Sequence, residues 1–486
     1  MLFNSVEFLF FFLVVTVIYF LLPLRLRWLH LLVSSCIFYM AFIPVYIFIL
    51  FFTIIIDYIA GILIENAQVR KRRMFLIISL CANIGVLAVF KYYDFFTENI
   101  NLIIDSLGMR RYELPYFHII LPVGLSFHTF QAMSYTIEVF RGNQKAERHL
   151  GIYSLYVMFY PQLVAGPIER PQNLLHQFRE KYDLDYDRMR SGFLLMLWGF
   201  FQKVVIADRL GLYVDPVFNH PDDFSGLSVI IASFFFAFQI YSDFAGYTDI
   251  ARGAARFMGF RLMKNFDSPF MSRNVTEFWR RWHISLSSWF NDYVFKPFVI
   301  GYRDWGNRAV IIGLLLTFTL SGLWHGAGWT FIVFGTLQGG ALVYEFKTKK
   351  MRGRISKATP AFLYNTSSQI LTLCFMVFTW IFFRSASFHD AIQLISNAFD
   401  FTQANSFRIG FFKKDVYDIS RFDIMVSPLL IILLMVYNML HLRIRKMGTK
   451  LFEQRAYLRW SVYYLLLLGI MELGVFSKST FIYFQF

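Results

Sequence analysis

Cysteine is nearly absent. The chain has three, Cys36, Cys81 and Cys374, far apart and each inside an apolar run. They form no CxxC pair and no plausible disulfide framework, so they read as small buried hydrophobes. Acidic residues are also scarce, 32 against 47 Lys and Arg, which leaves a net charge of +15. No GxxxxGK[ST] occurs, so P-loop ATP chemistry is not indicated. No HExxH and no Cys/His cluster occurs, so no metal site is expected. No basic, aromatic-interleaved soluble domain is present, so the positive charge does not point to nucleic acid. Soluble domains, low-complexity linkers and internal repeats are missing too.

What fills the chain is apolar surface. Of 486 residues, 57% are hydrophobic and 60 are Phe. The mean hydropathy is +0.49. Several runs approach or exceed the ~18 residues that a membrane helix needs. The expected spans are Phe8–Leu22, Trp28–Phe42, Val45–Ile64, Met74–Phe90, Ile119–Phe140, Phe193–Tyr213, Leu227–Tyr241, Leu371–Phe383, Pro428–His441 and Tyr463–Phe476. With the stretch described next, the crossings total about ten or eleven. Tyr92–Leu107 is mixed in polarity and is expected at the membrane interface, and Arg384–Arg421 as an external loop. Basic runs at Arg70–Arg73, Arg141–Lys145, Lys347–Lys357 and Arg443–Lys446 then fall on one side. The positive-inside rule makes that side cytoplasmic and both termini extracytoplasmic, with the tail Phe481–Phe486 outside. No cation precedes the first span, so a cleavable signal is not expected.

The chain is organised around Ile311–Tyr344. At its centre lies Ser321-Gly322-Leu323-Trp324-His325-Gly326-Ala327-Gly328-Trp329. An ionisable group at membrane depth is costly and marks a functional site by default. Imidazole titrates near neutral pH, as a general base must. The glycines predict a broken helix, as one hairpin or one interrupted span, that lines a cavity. Trp324 and Trp329 are expected to wall a slot around the ring. The plain alternative is a histidine hydrogen-bonded between helices.

A second stretch, Asn274–Phe290, begins with a capping-box pattern, Asn274 and Glu277. A continuous amphipathic helix would put Trp279, Trp282, His283, Leu286 and Phe290 on one stripe. Arg280 and Arg281 lie off it. That helix is either an interfacial anchor or a floor of the His325 cavity, with Arg280 or Arg281 near a phosphate-bearing donor. Arg273 and Lys264 are further cations nearby. Asp243 and Asp249 point to different faces of one helix, and Asp249 is placed to pair with Arg252 or Arg256. Tyr153–Pro171 is apolar but broken by Pro161, Gly166, Pro167 and Pro171, as in a re-entrant segment buried in protein.

The run Arg280-Arg281-Trp282-His283-Ile284-Ser285-Leu286-Ser287, followed about forty residues later by Gly322-Leu323-Trp324-His325-Gly326, resembles the signature of the membrane-bound O-acyltransferase family. It is most similar to the bacterial branch that contains the alginate O-acetyltransferase membrane subunit. Versions of Pro161–Ile168, Tyr241–Tyr247 and Phe481–Phe484 occur in that branch too. The resemblance runs from Phe3 to Phe486.

It implies an all-α polytopic membrane protein with a single domain over residues 1–486. The implied fold is a ring of helices, with re-entrant and interfacial helices, around a central catalytic cavity. His325 matches the catalytic histidine and His283 the second histidine. The implied reaction takes an acyl group, acetyl from acetyl-CoA, out of a cytoplasmic thioester. The acceptor is a hydroxyl of an extracytoplasmic polysaccharide such as alginate or peptidoglycan, and no cofactor is held. The implied partners are the acyl-CoA donor, a periplasmic protein of the SGNH-hydrolase type, the polymer and the lipids of the cell inner membrane. Donor contacts fall to Arg280, Arg281, Trp324 and Trp329. A transporter, or a scaffold of a polysaccharide export machine, is the competing class, because broken helices and midplane ionisable groups occur in transporters as well.

Overall fold

A computed structural model describes residues 1–164, 166–402, 420–447, 456–476 and 481–482. The middle of the Arg384–Arg421 loop and the tail residues 483–486 lie outside the described residues. Among the described residues the regular structure is helical. Among the described residues six helices are long and apolar enough to cross a membrane: Pro44–Asn66, Val69–Ser106, Leu227–Met258, Asn307–His325, Ala361–Arg384 and Phe422–Leu442. The chain is therefore a multi-pass membrane protein. One expectation changes here. Val69–Ser106 is a single run, because a π turn at Ala88–Tyr92 carries the helix past Lys91 where an interfacial break was expected.

Backbone contacts divide the chain into two compact units. The first comprises Met1–Met196 and Tyr247–Met263. In it, Ile47–Asn66, Val69–Leu87 and Leu125–Arg141 pack together. The buried Asp57 carboxylate at their junction accepts from Ser79 Oγ at 2.6 Å and Asn83 Nδ2 at 2.9 Å. The expected broken segment is buried as well. Leu150–Met158 stops where Phe159 turns away from helical geometry, ahead of Pro161. The Tyr160 N–H then donates to Ser35 Oγ at 3.0 Å, and the Tyr156 carbonyl it would have bonded accepts instead from Gln131 at 2.5 Å and Gln162 at 2.7 Å. Buried backbone groups need partners, and these amides supply them. Asp249 pairs with Arg252 at 2.8 Å, the structural ion pair its spacing predicts.

The second unit comprises Leu197–Gly246 and Lys264–Phe486. Its centre is an antiparallel hairpin, Asn307–His325 followed by Trp329–Lys347, so the glycine-broken stretch resolves as a hairpin. The arms touch backbone to backbone. A Cβ on Gly322 would sit 2.2 Å from the Phe331 carbonyl oxygen, and one on Gly335 would sit 2.2 Å from that of Phe318. Only glycine permits this approach. Buried Lys203 bridges Asp208 at 2.8 Å and Asp243 at 2.7 Å. Asp243 also accepts from the backbone N–H of Ile482 at 2.7 Å. The start of the tail is thus buried against this unit, where Phe481 packs 5.7 Å from Phe244.

Candidate functional site

The helix expected over Asn274–Phe290 is broken at the residue that matters. Asn274 Oδ1 caps it by accepting from the Glu277 N–H at 2.8 Å, as the sequence predicts. Helix Val275–Trp279 then ends, and a new one runs Ile284–Phe290. Between them His283 adopts the left-handed conformation, φ 43° and ψ 54°. The segment Asn265–Asp267, running antiparallel to it, clamps this turn. Asn265 O accepts from the Ile284 N–H at 2.9 Å, Asn265 Oδ1 from the Ser285 N–H at 3.2 Å, and Arg281 O from the Asp267 N–H at 2.9 Å. The three contacts over-determine a conformation that costs a non-glycine residue about 1 kcal/mol or more. The single stripe of Trp279, Trp282 and His283 does not form, because the break re-aims the ring.

Through the break His283 is fully buried, 0% exposed. Its ring lies 4.6 Å from Phe244, 5.9 Å from Trp324 and 6.4 Å from His325. His325 is the last residue of the first hairpin arm and is 5% exposed. Trp324 at 5.0 Å, Phe383 at 5.2 Å and Phe334 at 6.2 Å surround its ring. Trp329 opens the second arm, after the chain reverses through Gly326–Gly328, with 56% of its surface exposed. Phe383 and Phe334, which the sequence did not single out, join Trp324 around the ring.

The second hairpin arm braces the helix that leads to His283. Buried Glu345 accepts from the N–H groups of Val275 at 2.6 Å and Thr276 at 3.0 Å, and from Thr276 Oγ1 at 2.6 Å. Gln338 accepts from Trp279 Nε1 at 3.1 Å and donates to Thr379 Oγ1 at 2.8 Å, which ties three helices together. Sequence reasoning missed Asn265, Gln338 and Glu345. A signal existed for the last two, since both are polar groups inside an apolar run.

Beside this frame lies a cavity of about 480 Å³. Its wall includes Trp279, Ile284, Phe318, Ser321 and the buried Thr317, and Arg280 stands on it with an exposed side chain. Ser321 is one turn from His325, and Ile284 directly follows His283. The other predicted cations are engaged elsewhere. Arg281 pairs with Glu277 at 2.9 Å and donates to Asp267 O at 3.1 Å. Arg273 pairs with the same Glu277 at 3.5 Å, and Lys264 with Asp267 at 2.7 Å. Burial, and next the neighbouring His325, hold the His283 imidazole well below its ordinary 6.5. It is therefore neutral at pH 7 and able to accept a proton or a hydrogen bond. Among the described residues no group of His, Cys, Asp and Glu could hold a metal ion.

Residues 148–388, which contain both histidines and the whole hairpin, match the model of the membrane-bound O-acyltransferase family. The chain is 36% identical over 404 residues to the probable alginate O-acetylase AlgI of Pseudomonas aeruginosa, covering 82% of this chain and 75% of that protein. The chain belongs to the membrane-bound O-acyltransferase family. It is 33% identical over 396 residues to the peptidoglycan O-acetyltransferase of Helicobacter pylori, covering 75% of this chain and 72% of that one. It is 30% identical over 278 residues to the teichoic acid D-alanyltransferase of Bacillus subtilis, covering 55% and 69%. This membrane-bound O-acyltransferase is accordingly an enzyme, and an enzyme class replaces the transporter and scaffold alternatives.

Proposed function

We propose that the protein moves an acetyl group from a cytoplasmic thioester, acetyl-CoA, to hydroxyls of an extracytoplasmic polysaccharide such as alginate or peptidoglycan. A periplasmic SGNH-hydrolase-like partner completes the transfer. The enzyme acts as one domain over residues 1–486, a ring of about ten or eleven membrane helices. It sits in the inner membrane with both termini outside. Three relatives that act on polymer hydroxyls or on teichoic acid support the reaction class. The observation that carries the site is the imidazole pair, 6.4 Å apart and buried among aromatic rings beside the broken hairpin.

In this reading His325 accepts the proton of the acceptor hydroxyl as its oxygen attacks the thioester carbonyl carbon. The C–S bond of the tetrahedral adduct then breaks, and the departing sulfur takes the proton back from His325. The new ester and free CoA thiol balance the step. The Trp324 indole N–H, or a backbone N–H near the Gly326–Gly328 break, serves the oxyanion. The aromatic wall excludes water, which strengthens these contacts. Neutral His283 orients the donor or relays the proton. Arg280, on the cavity wall with its charge exposed, receives the CoA phosphates.

The test is acetyl transfer from labelled acetyl-CoA in membranes, normalised to folded protein. His325→Ala should lose about 10²–10⁴ in rate, the usual contribution of a general base. His325→Gln keeps a hydrogen-bonding side chain but cannot take the proton, so it should be nearly as inactive. Substantial activity in His325→Gln would overturn the assignment.

A further inference from the structure

The segment that joins the hairpin to the Ala361–Arg384 span is strongly one-sided in charge. Between Lys347 and Lys357 it carries six cations, Lys347, Lys349, Lys350, Arg352, Arg354 and Lys357. No Asp or Glu occurs from residue 346 to residue 389. Lys349–Ala358 is a helix, and only Thr359 and Pro360 separate it from a membrane span. At its other end it follows the second hairpin arm, with Thr348 alone between them. Chain connectivity therefore pins it near the membrane surface.

At 100° per residue, Met351, Ile355 and Ala358 share one face, Arg354 borders it, and Lys349, Lys350 and Lys357 lie about 100° or more from Met351. Met351 is 48% exposed and Ile355 46% exposed, so the apolar face has no cover within the protein. Among the described residues these four cations have no ion-pair partner. An apolar face beside a dense cationic face, on a helix tied to a membrane span, is the pattern of an interfacial helix. A soluble acidic partner would match the charge but leave Met351 and Ile355 in water.

The helix also reaches the candidate site. Arg352 Nη2 donates to Glu345 O at 2.9 Å. The carboxylate of the same Glu345 holds the N–H groups of Val275 and Thr276, the start of the helix that leads to Arg280 and His283.

We propose that the Lys349–Ala358 helix is a docking surface for the anionic headgroups of membrane phospholipids. Met351 and Ile355 enter the acyl-chain boundary and the flanking lysines and arginines bind phosphate. This reading does not depend on the acyl-transfer assignment, because binding is measured without turnover.

The experiment uses the full protein in mixed micelles containing equal phosphatidylglycerol and phosphatidylcholine, with retained lipid counted by native mass spectrometry. A cation near an anionic membrane surface is worth about fivefold in attraction. Screening reduces that for neighbouring charges. Wild type should retain phosphatidylglycerol over phosphatidylcholine by about tenfold at low salt, and less as salt rises. The exposed quadruple variant Lys349→Gln, Lys350→Gln, Arg354→Gln, Lys357→Gln should bring the ratio near one. Met351→Gln with Ile355→Gln should lower retention of both lipids. Three results would overturn the proposal: equal retention in wild type, an unchanged preference in the quadruple variant, or displacement of the lipid by soluble glycerol phosphate, which would mark a free phosphate site. Capture of an acidic soluble protein by these cations, with no lipid preference, would also overturn it.

Discussion

Gly322→Ala adds one methyl group to the tightest contact of the hairpin. Its Cβ would lie 2.2 Å from the Phe331 carbonyl oxygen and 2.9 Å from both Cα and N of Gly335. Relaxed contacts of this kind sit near 3.5 Å, so the arms must part by about 1 Å. All the near atoms are backbone, and no rotamer change relieves them. Overpacking of this sort costs about 1–3 kcal/mol. The displacement also falls on the site, since His325 is three residues further along the same helix face. Misplacing a reacting group by about 1 Å can cost on the order of 10² in rate. Gly340→Ala is the matched control, because nothing lies within 4 Å of its would-be Cβ. There the better helix propensity of alanine should add up to ~1 kcal/mol. Thermal unfolding in detergent and acetyl transfer per folded protein are the two readouts. Wild-type Tm and activity in Gly322→Ala, or equal damage from Gly340→Ala, would refute the close-contact argument.

Glu345→Ala should strand the buried N–H groups of Val275 and Thr276, at about 1–3 kcal/mol for each unsatisfied group, and lower Tm. Glu345→Gln keeps an acceptor oxygen and should recover part of the loss, so equal behaviour of the two variants would rule out this brace. The buried His283 should make stability fall with acid. Its folded pKa is depressed, so below about pH 6.5 the unfolded chain binds a proton that the folded chain refuses. Stability is fully present above 6.5 and declines below it by up to about 1.4 kcal/mol per pH unit. A Tm series from pH 8 to 5 should be flatter in His283→Asn than in wild type by that one-proton slope, and parallel curves would count against the buried neutral ring.

The membrane class and the hairpin break were legible because the physics behind them is local. Apolar runs show in any window, and Gly326 and Gly328 announce the reversal after His325. The exposure of Trp329 was not legible, because it depends on where the chain goes after it turns. The His283 turn was hidden for a related reason. Nothing in Asn274–Phe290 forbids a continuous helix, and the clamp that breaks it comes from Asn265 and Asp267, earlier in the chain. Arg280 and Arg281 looked equivalent by position. Glu277, one turn before Arg281, distinguishes them by pairing with it and leaving Arg280 to the cavity. In the sequence Asp243 shows only as facing away from Asp249, because its partner Lys203 lies in another helix and could not be paired with it by spacing.

The left-handed backbone at His283 narrows what evolution and the experimenter can place there. Histidine is one of the few residues with a side chain that enters this region with some ease, together with Asn and Asp, and glycine enters freely. Alanine would lose the imidazole and strain the backbone at once, so an alanine variant mixes two effects. In a saturation library, position 283 should split into separate classes. Glycine and asparagine should fold and report on the ring alone, whereas valine and isoleucine should fail at the level of yield. The permitted alphabet at this position is set by the main chain before chemistry has any say.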